Sequence, residues 1–480
     1  MTELKLFRWK SVRCKLFQSK ARKKSHDTKR YKEKVEKSDI QQSTLDHSNR
    51  DESRALLPEP HPKTDHSRAD RSINDRYGLE WHHGEAIWTA TPDINAIKAL
   101  VARYTMGQRD DRDIFDSRIV DASDIRVKFY GNSGYYKLYL VSSPRLEKKY
   151  IFRATLPVEP FYKTESEVAT MAFIRKYTAL PVPRVIHYCS SASNPLKFEW
   201  ILQEHVEGTA LSETWDGMPF HAEAEFAVQM QRQMQLLQDF DFAWLGNLYY
   251  SRCKDRVNGQ PAEWLRVSDG QEQNDPDFVI GRIVSPWSFE EKRRDMRADR
   301  GPFTSSPRLL LAKAELQYEC LKHLDSSSID QELPSSQSKL RELYHSIRAA
   351  EGSTYTRENE HRVLHHIDLS DRDIIVQSDP SSSNPIQLSG IINWESVGTV
   401  PSWQVDFPHF LQGPSESELQ SRWRPFMSAS ASEALMKDNQ KAELRRIYGD
   451  PLRPALVGKM PQNLIECAET LEQYPWHNAV

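Results

Sequence analysis

Cysteine is scarce in this sequence. The 480-residue chain has five, at Cys14, Cys189, Cys253, Cys320 and Cys467, each standing alone. No Cys-x-x-Cys pair exists to hold structural zinc, and no ladder of cysteines suggests a disulfide-stapled secreted domain. The usage fits a reducing, intracellular compartment. Long apolar runs are also missing. A membrane-spanning helix needs roughly 20 consecutive apolar residues, and nothing here approaches that. There is no internal repeat. Apolar residues still make up 38% of the chain, enough for a real core in one large domain or two ordinary ones.

The net charge of −3 hides an asymmetry. Residues 1–37 carry 14 Lys/Arg against Glu3, Asp27, Glu33 and Glu36, a net of +10, so residues 38–480 carry −3 − 10 = −13. An acidic body lacks the clustered cations that phosphate neutralisation requires, so we expect no nucleic-acid partner for it. The tail is open to several readings. Residues 4–17 alternate apolar and basic residues in the manner of a mitochondrial presequence. Lys20-Ala-Arg-Lys-Lys24 equally suits a nuclear signal or contact with an anionic membrane or import receptor. The plainest reading is a solvated, disordered tail, continued by a Ser-, Asp-, His- and Pro-rich linker to residue 72. A mitochondrial or cytoplasmic location follows.

The body begins near Ile73. Thr91-Pro92 reads as a helix start, and Ile94, Ile97, Leu100, Val101 and Tyr104 then repeat at helical spacing over 92–105. From residue 125 the period changes to two. Arg126–Tyr130, Tyr135–Val141 and Lys149–Leu156 read as strands, the first two joined across Gly131-Asn-Ser-Gly134. A helix follows over Ser166–Tyr177, then strands at Val185–Tyr188 and Glu199–Val206. After Gly208 the pattern is mainly helical. Phe226, Met230, Met234 and Leu237 form one core-facing stripe, residues 252–275 read as a polar loop, and Leu309–Leu324 and Ser338–Ala350 as helices. The fold class is α+β: a small five-stranded antiparallel N-terminal lobe with one helix (73–206), and a larger, mainly helical C-terminal lobe (207–480).

The segment 363–413 carries the chemistry. Val363 to Val376 reads Val-Leu-His-His-Ile-Asp-Leu-Ser-Asp-Arg-Asp-Ile-Ile-Val. After a polar stretch, Leu-Ser-Gly-Ile-Ile-Asn-Trp-Glu runs from Leu388 to Glu395. Two apolar strands thus flank a hairpin, with His366, Asp368 and Asp373 entering it and Asn393 leaving it. Phosphoryl transfer needs a carboxylate beside the acceptor hydroxyl and oxygen ligands for Mg²⁺. Asp368 suits the first role. Asp373 and Asn393 suit the second, and His366 would brace the loop.

His-x-Asp-x-x-x-x-Asn, followed one hairpin later by Ile-(Ile/Val)-Asp-Trp-Glu, is the signature of the aminoglycoside phosphotransferase (choline-kinase-like) family. The sequence resembles its large fungal branch, related to the altered-inheritance-of-mitochondria proteins, from about Thr91 onward. Ser166-Glu-Val-Ala-Thr-Met171, Leu180-Pro-Val-Pro-Arg184, Arg300-Gly-Pro-Phe303 and Phe410-Leu-Gln-Gly413 carry the resemblance further. It implies a protein-kinase-like bilobal fold and ATP-dependent transfer to a small hydroxylated metabolite. ATP and Mg²⁺ would be cofactors. Asp368 would be the base, and Arg153 would grip the phosphates with Glu167 as its partner. Gly131, Ser133 and Gly134 would cover the phosphates, and Glu204 to Val206 would meet adenine. Two positions depart from the family. Its catalytic-loop Asn is Asp373 here, and its strand-end metal-binding Asp is Asn393. The exchange preserves total charge and donor number but weakens the strand-end ligand. The alternative is therefore a weak or inactive kinase-like nucleotide-binding protein. Tyr136 also stands where the family often has Asn.

Overall fold

In a computed structural model of the chain, the residues described are 76–82, 84–106, 121–146, 148–322, 333–351, 360–378, 386–395, 397–411, 440–448, 467–468 and 470–471. The basic tail and linker expected over 1–72 lie outside them.

A hairpin of β1 (Leu79–His82) and β2 (Glu85–Trp88) is the first pair of strands among the described residues. Helix α1 (Ile94–Met106) buries Ile97, Leu100 and Val101. The Asp93 carboxylate caps it by accepting the Asn95 N–H at 3.0 Å, two residues later than Thr91-Pro92 suggested. The alternating segment then forms β3 (Arg126–Ser133), β4 (Tyr136–Ser142) and β5 (Tyr150–Thr155). With β6 (Val185–Cys189) and β7 (Glu199–Glu204) they make an antiparallel sheet ordered β3-β4-β5-β7-β6. All six residues of the central strand β5 are buried, because neighbours cover both of its faces.

Helix α2 (Tyr162–Tyr177) is inserted between β5 and β6 and starts a full turn before the expected Ser166. Phe161 precedes it with φ of 70° and offers no side-chain cap. Glu199 of β7 supplies the cap from outside, accepting from the Phe161 N–H and, at 2.5 Å, from Thr164 Oγ1. Burial pushes that carboxyl up to about 7.

Strand β8 (Thr209–Ala210) leads to α3 (Phe220–Gln238), whose Phe226, Met230, Met234 and Leu237 are all buried. The expected polar loop at 252–275 is instead built structure. Strands β9 (Phe240–Phe242), β10 (Asn247–Tyr250), β11 (Gln260–Arg266) and β12 (Glu272–Gly281) form a four-stranded sheet. The single-turn helix α4 (Lys254–Val257) lies inside it and α5 (Pro286–Phe289) follows. This sheet packs on α2. The Phe173 ring lies 5.3 Å from Phe240, 5.1 Å from Trp264 and 5.5 Å from Phe278. Lys176 Nζ meets Asp275 Oδ2 at 2.7 Å, and Asn247 Nδ2 donates to Ser166 Oγ at 3.1 Å. Helix α2 is therefore held between two sheets.

Helices α6 (Ser306–Lys322) and α7 (Leu333–Glu351) pair through Leu310, Leu311, Leu340 and Ile347. The motif-bearing segment forms β13 (Arg362–His365), β14 (Ile374–Ser378), β15 (Ile386–Ile391) and β16 (Gly398–Pro401). Strand β14 lies between β15 and β8, and β13 pairs with β16. Residues 440–448 are helical and bring Leu444 and Tyr448 into the same core as α3. Among the described residues no helix is long and apolar enough to cross a membrane.

Candidate active site

Strand β13 ends at His365, and the chain turns through His366, Ile367 and Asp368 before entering β14. His366 is buried and packs edge-on to Trp394, ring centroids 5.2 Å apart. Burial pulls its imidazole down to about 4, so the ring is neutral at ordinary pH. The backbone of Ile392 and Asn393 lies near it and favours the charged form, yet neither ring nitrogen makes a hydrogen bond of good geometry. His366 therefore braces the loop by packing against Trp394. Asp368 stands exposed at the loop's outer face, within electrostatic range of His366 and Tyr135.

The β14–β15 hairpin joins the two exchanged positions. Asp373 ends the loop and its carbonyl accepts the Ile392 N–H at 2.8 Å, which sets Asn393 beside it. Asp373 Oδ2 accepts from Ser370 N at 3.0 Å and Ser370 Oγ at 2.5 Å. Burial pushes the Asp373 carboxyl up, against the pull of the Ser370 bonds and of an Asn393 side-chain hydrogen bond. Asn393 has φ of 65°, a left-handed conformation that Asn tolerates better than most residues. Its Oδ1 is buried and accepts nothing among the described residues.

Beside this pair lies a buried ionic cluster. Arg153 on β5 and Glu167 on α2 are each 2% exposed and bonded two-to-two, with Nη2 to Oε2 at 3.0 Å. Glu167 holds the guanidinium in its charged form against the burial that opposes it. Glu395, two residues past Asn393, comes within 4.0 Å of Arg153 Nη2 and forms an ion pair with Lys163 in the first turn of α2. Glu395 is thus engaged by two cations. Tyr136 caps the cluster, with the Arg153 guanidinium 4.1 Å from its ring centre. Tyr136 is thus a lid on the arginine, a contact the Asn common in the family could not make.

The β3–β4 hairpin differs from expectation. Gly131, Asn132 and Ser133 belong to β3, in register with Leu138, Lys137 and Tyr136. The turn is only Gly134-Tyr135, with a bulge between Phe129 and Gly131. A Cβ added at Gly131 or Gly134 would meet nothing within 4 Å, so both border open space. Tyr135 reaches the electrostatic range of Asp368 and Glu395, placing the hairpin tip near the loop that carries Asp368. At the other end, the Glu204 N–H donates to Arg184 O at 2.9 Å and the His205 N–H to Lys149 O at 3.1 Å. Val206 packs where a Cβ on Gly390 would fall, 2.9 Å from its Cγ1.

The structure therefore brings together Arg153, Glu167, Asp373 and Asn393, with Glu395, and sets Asp368 with His366 on the adjoining loop. Sequence reasoning missed Lys163, Glu199 and the role of Tyr136. Among the described residues no three His, Cys, Asp or Glu side chains close on one point as a metal cage. The Asp373 carboxylate and the orphaned Asn393 carbonyl oxygen do fit a hard cation that takes its other oxygens from phosphates and water.

The sequence pattern of the phosphotransferase enzyme family (APH) matches residues 132–401, more than half of the 480-residue chain. A subtelomeric hrmA-associated cluster protein of Aspergillus fumigatus is 31% identical over 176 residues, 36% of this chain and 32% of that protein. The mitochondrial altered inheritance of mitochondria protein 9 of Meyerozyma guilliermondii is 32% identical over 201 residues, 39% of this chain and 32% of its own. The match spans about a third of the length of these curated relatives. Among solved structures, a putative aminoglycoside phosphotransferase of Ralstonia eutropha aligns over 81% of this chain and 98% of its own at 13% identity, TM-score 0.39. Choline kinase of Cryptosporidium parvum aligns over 79% and 95% at 15% identity, TM-score 0.34. With the family pattern running from the β3–β4 hairpin through the Asn393 turn to the end of β16, this chain belongs to the phosphotransferase enzyme family.

Proposed function

We propose that the chain is an ATP-dependent phosphotransferase acting on a small hydroxylated metabolite. One observation carries this reading: the polar atoms left unpaired around the buried cluster sort by chemistry. Among the described residues, Arg153 Nε is a buried donor without an acceptor, and Asn393 Oδ1 is a buried acceptor without a donor. Buried polar groups are normally satisfied, so such orphans suit an absent partner that offers phosphate oxygens to one and a cation to the other. Asp373 and Asn393 would hold Mg²⁺, which would neutralise charge building on the transferred group. Exposed Asp368 accepts the proton of the acceptor hydroxyl as its oxygen bonds to the γ-phosphorus and the bond to the bridging oxygen breaks, releasing ADP. His366, neutral and buried, keeps that loop in place. Val206 is the hinge residue we assign to adenine. Release or transfer of the ATP γ-phosphate, measured with a panel of hydroxylated metabolites, tests the reading. Asp368→Asn should lower the rate by about 10²–10⁴-fold; an unchanged rate would remove Asp368 from the mechanism.

The second reading, nucleotide binding with little turnover, is favoured by Asn393, an amide where the family has a carboxylate. Exchanging both positions, Asp373→Asn with Asn393→Asp, should raise turnover if catalysis is merely weakened. Nucleotide binding with no turnover in either form would favour the second reading. Of the two fungal relatives, the Meyerozyma guilliermondii protein is named as mitochondrial. For residues 1–37 we propose a targeting or anionic-surface role, which a diffuse signal from a reporter fused to residues 1–40 would remove.

A further inference from the structure

We infer that Lys163, in the first turn of α2, is the main phosphate-binding cation of this site, and that Arg153 acts chiefly as a positioning residue. The inference rests on the nucleotide reading above and deepens it.

The argument begins with what Arg153 has left to give. Both of its terminal nitrogens are taken by Glu167 in a two-to-two pairing, Glu395 lies within 4.0 Å of one of them, and the Tyr136 ring covers a guanidinium face at 4.1 Å. Among the described residues only its Nε is left without an acceptor. A lysine ammonium has three rotatable N–H groups and can bridge a helix carboxylate and a phosphate at once. A guanidinium already committed in a planar fork cannot turn to do the same. Arginine at this strand position therefore fixes α2 firmly but leaves little for a ligand.

Lys163 has the complementary properties. It is 2% exposed, and the carboxylate paired with it is Glu395. No hydrogen bond of good geometry is made by its Nζ among the described residues. Its ammonium lies 5.9 Å from the Tyr135 ring centre and 5.7 Å from that of Tyr136, beneath the turn of the β3–β4 hairpin. Three features thus surround one ammonium: the hairpin tip, the Arg153 strand, and the turn carrying Asn393 and Glu395. A phosphate chain between hairpin and metal turn would pass within its reach. Burying an ammonium is costly unless several partners compensate, and one carboxylate oxygen offers few. Helix α2 adds its own positive end at the same place, and Glu199 caps it from the side through Phe161 N and Thr164 Oγ1. The backbone there is held rigidly, so Lys163 is presented from a fixed base. Glu395 holds the ammonium in the structure. With nucleotide bound, Lys163 shares its donors between Glu395 and a phosphate oxygen.

Binding of Mg-ADP and of adenosine to the full chain, measured by calorimetry, tests this. Lys163→Gln should weaken Mg-ADP by about tenfold to a hundredfold, the usual worth of a charge-assisted hydrogen bond, and leave adenosine unchanged. Lys163→Arg should recover most of the loss. A structural role alone would act through the stranded Glu395 carboxylate, so Lys163→Gln with Glu395→Gln separates the two: the inference expects Mg-ADP binding to stay weak. Wild-type Mg-ADP affinity in that double variant would overturn it while leaving the nucleotide reading intact. Wild-type protein that binds neither ligand would overturn both.

Discussion

Helix α3 buries Phe226, Met230, Met234 and Leu237, an apolar stripe at helical spacing that meets the core and nothing else. Helix α2 buries Lys163, Thr164, Glu165, Ser166 and Glu167 in unbroken succession before its apolar residues begin. Five consecutive buried polar residues cannot share one face of a helix. They are tolerated because partners approach from several directions: Glu395 to Lys163, Glu199 to Thr164, Tyr188 and Ser190 to Glu165, Asn247 to Ser166, Arg153 to Glu167. The α3 stripe is held by apolar area, and the first turns of α2 by specific pairing. The second arrangement places charges at fixed points, which is what a site for a charged ligand requires.

Cutting each helix at its own kind of contact should separate stability from binding. Glu167→Ala strands the Arg153 charge and should cost about 3–5 kcal/mol of stability, with Mg-nucleotide affinity falling as well. Met230→Ala in α3 should cost about 2–5 kcal/mol through a cavity, yet leave the affinity of the folded fraction unchanged. Denaturant unfolding and calorimetry on both variants check the pair. Equal loss of affinity would mean that the two helices are not distinct in role.

A smaller effect lies in the Glu199 cap. Its carboxyl is raised to about 7 from an ordinary 4.5 by burial. A raised folded-state value means that the protonated form is favoured by folding. That contribution is complete below pH 4.5 and is lost as pH rises through 7. Glu199→Gln, which keeps the shape without the charge, should cost about 1 kcal/mol at pH 5, in the range of a lost cap. The gap should shrink as pH rises and reverse by pH 8, leaving Glu199→Gln the more stable protein there. A gap that widens with pH would mean that the ionised carboxylate is the better cap.

The same contrast explains what the sequence revealed. The α3 stripe, the strands from Arg126 to Thr155 and the Asp368–Asn393 hairpin were legible because apolar spacing or a dense motif marks them. Lys163 was not. Lysine in a polar run reads as solvent-facing, and the capping Glu199 lies 35 residues away from Thr164. The start of α2 was lost for the same reason. Strand β11 and the first residues of β12, to Asp275, read as a loop because the segment contains Pro261 and turns charged residues outward. The register also breaks between Pro261 and Glu263, while the alternating Ala262 and Trp264 are buried. Gly131–Gly134 reads as a four-residue turn between two strands because its glycines are turn residues. Pairing with β4 instead extends the strand through Ser133.

The central claim is that Asp373 and Asn393 together hold a cation for a nucleotide gripped at the α2 end of the cluster. Calorimetric ADP affinity with and without Mg²⁺, in wild type and Asp373→Ala, tests it most directly. Mg²⁺ should strengthen ADP binding in the wild type and have little effect in the variant. Equal enhancement in both proteins, or none in the wild type, would contradict the account.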